Sequence, residues 1–412
     1  MNQAVHLYME ADREWWECFA PGGEMVRVCS EGSDSLCCIS PQSKMKDMDI
    51  YLVGGSVRDS LRNVPEGDRD YVVLNGSEEE LLAVFPQAVR VGRESPVYIV
   101  GHNQYTLSPA ESIAEDLKSR DLTINALARD PAGSVVGLDQ SFEDLRDKVL
   151  RPVARENFFK DPARVFRAAR FAACLPDHAP APELLDAMTG VNGAGVTQLL
   201  SAERVGQELS KALGCPDPGR FFSLLDRTGG LRPWFGELAE TLEAPAGSSW
   251  RTLFEHTLRV IKELRGDRTA VWMGVCHALG CVAEDARETV CTGASPEAGA
   301  LRAEGMGSRL RLPKALVRAG AVAARCIRAG VHYDQLRAPD KVDLLERLWK
   351  AGLVQPFFAL VRACSGRNFQ DPAQADLQRL LAVTLPAAER NLGELSGRRL
   401  RSLRSQAIAG GQ

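Results

Sequence analysis

The chain lacks any run of 18 uninterrupted apolar residues, so no segment reads as a membrane-spanning helix. Its start lacks the basic-then-apolar layout of a secretory signal. It has 11 cysteines but no paired metal-binding spacing among them; Cys37 and Cys38 are adjacent and the others are scattered. The economical reading is buried, reduced thiols in a cytoplasmic protein. The three-glycine spacing of a dinucleotide fold is also missing, since Gly54-Gly55 stands without it, and this argues against a Rossmann dehydrogenase. No strong excess of positive charge is present. A net charge of −4 excludes indiscriminate coating of nucleic acid, so any polyanion must meet local basic patches. Arg398, Arg399, Arg401 and Arg404 form one such patch, and Arg309, Arg311, Lys314 and Arg318 another; both also suit a solvated helical face.

What is present concentrates in residues 51–73, YLVGGSVRDSLRNVPEGDRDYVV. Tyr51-Leu52-Val53 predicts a strand, Gly54-Gly55 a tight entry to a short helix near Val57, and Pro65-Glu66-Gly67 a turn. A second strand opens with Asp68-Arg69-Asp70. Alternation along a strand points Asp68 and Asp70 to the same side, and two neighbouring carboxylates repel unless a cation lies between them. Mg²⁺ takes such oxygen ligands and shares them with phosphates. A glycine pair lets backbone approach an anion closely. Each feature alone is commonplace; together, in this order, they predict phosphoryl-transfer chemistry.

These residues resemble a known family. GGSVRD followed by DRDYVV is similar to the catalytic head of the class II bacterial tRNA nucleotidyltransferases, the CCA-adding branch of the polymerase-β-like superfamily. The resemblance continues through SRDLTINALA (119–128), FEDLRDKVLRPV (142–153), KDPARVFRAARFAA (160–173) and SAERVGQEL (201–209), and more weakly to the end of the chain. It implies an α+β fold: a nucleotidyltransferase head of mixed sheet and helices over 48–150, then all-α neck (151–240) and body and tail (241–412). It implies transfer of CMP, and of AMP in full CCA-adding members, from CTP or ATP to the 3′ end of tRNA, by in-line attack with two Mg²⁺ ions held by Asp68 and Asp70. Gly54, Gly55 and Arg58 then hold phosphates, and Arg120, Asp121 and Asn125 hold the sugar and triphosphate. On the residues alone, Arg120 and Asp121 equally suit exposed charges on a helix starting near Ser112. Asp161 and Arg164 match the family's base-reading pair, with Arg167 and Arg170 on the same helical stripe; Asp161 before Pro162 also reads as a helix N-cap.

Several positions depart from the family pattern. Gln104 stands where relatives place a third carboxylate, and Lys160 where they carry Glu. The connection over residues 106–119 is short, which resembles the CC-adding subgroup and implies a separate A-adding enzyme. In the C-terminal half, His256 and His277 fall where a fused HD-type phosphohydrolase has ligands, but Ala278 and Cys281 replace its Asp and Lys. The expectation there is a degenerate domain with core histidines that docks tRNA, with Arg398, Arg399 and Arg401 as RNA contacts. Residues 1–47, with Trp15-Trp16 and four cysteines, show no helix or strand period and no family match; they are expected to lie outside the native fold, with Met45 or Met48 as the start. Alternative readings are a complete CCA-adding enzyme, a poly(A) polymerase, and a non-catalytic RNA-binding descendant.

Overall fold

The computed structural model describes residues 6–10, 13–19, 25–29, 48–64, 69–92, 96–242, 252–280 and 295–410. The chain divides into two compact units, residues 1–147 and 148–412. Asp68, Pro65-Glu66-Gly67 and Cys281 lie outside the described residues. No helix among the described residues is long and apolar enough to cross a membrane.

In the first unit, β1 (His6–Glu10), β2 (Arg13–Phe19) and β3 (Met25–Cys29) form an antiparallel sheet in that order. The absence of strand period read from this segment is thus corrected: Trp15, Trp16, Val26 and Val28 are strong strand formers even without clean alternation. The head proper comprises β4 (Asp49–Val53), α1 (Gly55–Leu61), β5 (Arg69–Leu74), α2 (Glu78–Val84), β6 (Val89–Val91), β7 (Val97–Val100), β8 (Asn103–Leu107), α3 (Ile113–Lys118), β9 (Leu127–Arg129), β10 (Val135–Gly137) and α4 (Asp139–Asp147). Its seven strands run in the order β10-β9-β4-β5-β8-β7-β6. Only the β5–β8 pairing is parallel, so the sheet is mixed.

Local chemistry sets these elements. Ser77 caps α2 in a capping box with Glu80, and Ser112 caps α3 through the N–H of Glu115. The core beneath the sheet packs Met48, Val73, Leu81, Tyr98, Val100 and Tyr105. Tyr71 and Tyr105, register partners on β5 and β8, stack at 4.9 Å on this side. Alternation therefore puts Asp70 and Gln104 on the opposite side of the sheet.

Among its described residues, the second unit is helical apart from one short parallel pairing, β11 (Val149–Leu150) with β12 (Ala179–Pro180). Its helices include α5 (Arg155–Lys160), α6 (Arg164–Cys174), α7 (Pro182–Gly193), α8 (Ala202–Ala212), α9 (Gly219–Arg227), α10 (Gly236–Ala239), α11 (Leu253–Glu263), α12 (Arg268–Cys276), α13 (Pro296–Arg309), α14 (Lys314–Val331), α15 (Ala338–Ala351), α16 (Val354–Ser365), α17 (Gln370–Ala382) and α18 (Glu394–Ala409). Phe221, Phe222 and Phe235 meet edge to face in its interior. Helix α6 begins two residues later than Asp161-Pro162 suggests. Asp161 is the C-cap of α5, and its carboxylate instead accepts from the Ala163 N–H at 3.3 Å. One reading of the cysteines is corrected as well: Cys174 and Cys215 are joined in a disulfide with Cα atoms 4.6 Å apart, whereas Cys276, Cys326 and Cys364 are free and buried.

Candidate active site

The head site starts where β4 ends. Val53 pairs with Asp70, and Gly54 follows at φ 71°, ψ −128°, a backbone conformation open to glycine. Its N–H donates to the Leu127 carbonyl at 3.0 Å, which fixes the turn against β9. The first turn of α1 thus begins beside the open end of β5, where Asp70 is exposed. Gln104 is the register partner of Asp70 on β8 and is half-buried. A carboxylate and an amide oxygen side by side are donors that fit a hard divalent cation, with fewer negative charges than a carboxylate trio.

The cationic side of the site is pinned from behind. A Cβ placed on Gly54 would lie 3.6 Å from a guanidinium nitrogen of Arg120, and one on Gly55 would lie 3.6 Å from Arg58. Both arginines therefore stand over the glycine turn. Arg120 is gripped by Asp116, which accepts at 2.7 and 3.0 Å through one carboxylate oxygen. The other oxygen of Asp116 accepts from the Ser108 hydroxyl at 2.9 Å. Arg58 is buried; it donates to Asp59 at 2.9 and 3.0 Å and to Asn125 Oδ1 at 2.7 Å. Asn125 in turn donates to Asp121 Oδ1 at 3.1 Å, and that oxygen also accepts from the Leu122 N–H at 2.7 Å.

Gly54, Gly55, Arg58, Arg120, Asp121 and Asn125 thus lie together in one assembly. Their placement differs from the sequence reading in one respect. Arg120 and Asp121 do not ride on the helix from Ser112, because α3 ends at Lys118. The Asp121 carboxylate takes up local N–H groups instead of letting the helix continue, and Asn125 closes a 3₁₀ turn. Asp59 and Asp116 are absent from the sequence-derived set. Asp116 sits four residues before Arg120, the spacing of a helical ion pair, and that signal would have found it.

In the second unit, Asp161 accepts both of its strong bonds from Arg204 on α8, at 2.8 and 2.9 Å, while Arg164 lies 3.9 Å away. Arg170 donates to Glu208 at 2.5 Å and its guanidinium lies 4.1 Å from the Phe171 ring centre. Arg167 lies 3.9 Å from the same Glu208. The arginine stripe of α6 is therefore matched by Arg204 and Glu208, one turn apart on α8, which the sequence reading did not single out. Lys160 is exposed.

The tail arginines are all engaged. Arg398 pairs with Glu394 at 3.0 Å, Arg399 with Glu389 at 3.0 Å, Arg401 with Asp343 at 2.6 Å and Arg404 with Glu346 at 2.6 Å. In the other basic group, Arg309 pairs with Glu237 at 2.5 Å and Arg311 with Glu203 at 3.5 Å. His256 and His277 are buried with ring centres 5.5 Å apart, and Ala278 beside them offers no ligand.

Known proteins resemble the chain in sequence profile and in fold. The profile of the poly A polymerase head domain matches residues 93–151, which include Gln104, Arg120, Asp121 and Asn125. A crystal structure of the Bacillus stearothermophilus CCA-adding enzyme in complex with CTP superposes with a TM-score of 0.62 at 25% identity, covering 90% of this chain and 92% of that one. The chain is thus similar to the poly A polymerase head domain in sequence profile and to the CCA-adding enzymes in fold. Two further structures of CCA-adding enzymes share its fold. The Thermotoga maritima CCA-adding enzyme complexed with tRNA has a TM-score of 0.62 at 17% identity, covering 89% of each chain. A CCA-adding enzyme complexed with ATP has a TM-score of 0.61 at 17% identity, covering 90% of each chain.

Proposed function

We propose that the chain adds cytidine from CTP to the 3′ end of tRNA in the cytoplasm, as a CC-adding enzyme whose product is completed by a separate A-adding enzyme. Residues 48–150 act as the catalytic head, 151–240 as the neck that reads the base, and 241–412 as the tRNA-docking body and tail. The observation that carries the reading is the assembly of Arg58 and Arg120 over Gly54-Gly55, beside the strand end that bears Asp70.

In this reading Asp68 and Asp70 hold Mg²⁺, with Gln104 orienting the same site. When bound, the ion supplies Lewis-acid polarisation of the phosphate and lowers the pKa of the attacking hydroxyl. The residues themselves do the positioning. Arg120, oriented by Asp116, supplies a planar guanidinium to the triphosphate. Arg58, held by Asp59 and Asn125, brings its guanidinium charge to the phosphate oxygens. Asn125, oriented by Arg58 and Asp121, bonds the ribose. The Gly54-Gly55 backbone approaches the phosphates without side-chain obstruction. In the neck, Asp161 and Arg164 recognise the base edge, with Arg167 and Arg170 behind them; a carboxylate accepts from an exocyclic amine and a guanidinium donates to a ring nitrogen.

The short connection supports addition of C alone. Only Ser108–Ser112 separates β8 from α3, and this segment is tied down: Ser108 bonds Asp116 and the Ala110 N–H, and the Glu111 N–H bonds Glu115. Such a segment has little room to re-aim the base-reading groups between one nucleotide and the next. The test is incorporation of labelled CTP and ATP, singly and together, into tRNA ending before CCA. Two cytidines and no adenosine are expected. A complete CCA end would overturn the C-only reading, untemplated adenosine runs would indicate a poly(A) polymerase, and no incorporation at all would indicate a non-catalytic RNA-binding protein.

A further inference from the structure

The second unit holds a cluster that takes no part in the chemistry above. His256 on α11, His277 at the C-terminal cap of α12 and Cys364 on α16 are all buried, and one ligand atom from each lies within 4.8 Å of the other two. The ring of His277 shows which of its atoms is offered. Nδ1 lies 2.5 Å from the Gly274 carbonyl oxygen, and a carbonyl only accepts, so the ring proton resides on Nδ1. Nε2 then carries the lone pair. It is buried and has no hydrogen-bond partner among the described residues. A histidine whose Nδ1 is fixed by a backbone carbonyl while its Nε2 is buried without a partner, in a cluster with a second imidazole and a thiol, is held as metal-ligating histidines are.

We propose that His256, His277 and Cys364 form a three-ligand site for a single thiophilic transition-metal ion, Zn²⁺ by the chemistry of the donors, which ties α11, α12 and α16 together. Two imidazoles and a thiolate with no carboxylate do not suit Mg²⁺ or Ca²⁺, which take oxygen. With Zn–N near 2.0–2.1 Å and Zn–S near 2.3 Å, the three atoms must draw in by about 1 Å to bind. Burial keeps both rings neutral, His256 lowered to about 3 and His277 to about 4, so each retains a lone pair at neutral pH. Burial also pushes the Cys364 thiol up, so the thiol is protonated until an ion arrives. Binding forms the metal–sulfur bond, breaks S–H and releases that proton to solvent. The ion then leaves one net positive charge among the three ligands. Arg259 adds a cation close by, bonded to the Ala363 carbonyl at 2.8 Å, but Glu263 pairs with it at 2.5 Å. With Ala278 in place of a bridging carboxylate, the site holds one ion and serves as a staple, with no place for a second.

The test uses the full-length, untagged chain, stripped with chelator and titrated with Zn²⁺ and, separately, with Co²⁺. A single equivalent of Zn²⁺ should bind with release of a proton and a rise in thermal midpoint. Co²⁺ should give a thiolate-to-metal charge-transfer band that Zn²⁺ abolishes and Mg²⁺ leaves intact. Cys364→Ser should lose the band and weaken Zn²⁺ binding at least tenfold, while CTP incorporation stays unchanged. Absence of the band in the unaltered chain would overturn the proposal without any variant. Equal Zn²⁺ uptake by Cys364→Ser, with unaltered circular dichroism, would overturn it too, because the metal would then be on other cysteines.

Discussion

Asp70 and Gln104 are register partners on the only parallel strand pair of the head sheet, on the side away from the Tyr71–Tyr105 stack. The neutral amide therefore stands directly beside the exposed carboxylate, among the oxygen donors proposed to hold the metal. Restoring charge there should strengthen cation binding. Gln104→Glu is expected to lower the Mg²⁺ concentration for half-maximal CTP incorporation by several-fold. Asp70→Ala should reduce incorporation to background while tRNA binding in a filter assay persists. Turnover retained by Asp70→Ala would remove that residue from the catalytic machinery.

Asp116 grips Arg120 by two charge-assisted hydrogen bonds through one carboxylate oxygen, and Ser108 holds the other. Bonds to charged groups contribute about 1.5–3 kcal/mol each. Asp116→Asn keeps the shape but loses the charge, and should raise KM for CTP about tenfold with a smaller effect on kcat. Arg120→Lys should be worse than this, because an ammonium cannot supply the planar fork. An equal fall in kcat and no change in KM for Asp116→Asn would place its effect elsewhere.

A buried polar cluster supports the tail half. Lys341 donates to Asp376 at 3.2 Å and Tyr333 donates to the same carboxylate oxygen at 2.9 Å, all three side chains being buried. Removing the anion strands a buried ammonium, which typically costs about 3–5 kcal/mol. Asp376→Ala should show a loss of that order in urea denaturation, and Tyr333→Phe a loss of about 1 kcal/mol. If the two variants proved equal, the ion pair would not be the dominant interaction.

Asp177 provides a pH test. Partial burial raises its carboxyl, but hydrogen bonds from His178 and Lys148 together outweigh this and hold it at about 2 against an ordinary 3.8. A carboxyl lowered on folding stabilises above its unfolded value, and that contribution fades as pH falls through the folded value. The gap in thermal midpoint between the native chain and Asp177→Asn should accordingly be full above about pH 4 and should close toward pH 2. A gap that does not depend on pH in that window would mean the aspartate acts through shape alone.

Much of the head was legible in the sequence because its signals are local. The strand at Tyr51, the helix starting near Ser112 and the glycine turn need only neighbours within a few residues to be recognised. Arg120 was placed on a helix because charge pattern alone does not reveal that Asp121 turns its carboxylate onto Leu122 and Asn125. Arg204, Glu208 and Cys364 escaped for another reason. Each acquires its meaning from a residue on a different helix, 43 positions away in the case of Asp161 and Arg204, and no periodicity encodes such a meeting. The first strands were missed because paired tryptophans and cysteines break the alternation that marks a half-buried strand.

The pairing of Arg398, Arg399, Arg401 and Arg404 with carboxylates alters how α18 would meet a polyanion. A free arginine that neutralises a phosphate releases counterions condensed on the nucleic acid, and the affinity falls steeply with added salt. An arginine already matched by Glu or Asp must exchange one anion for another, and the displaced carboxylate then takes up a cation from solution. Ion release and ion uptake largely cancel. Four arginines on one helix would in that case contribute a much shallower salt slope than their number implies, and binding through this tail would survive ionic strengths that detach an unpaired basic patch.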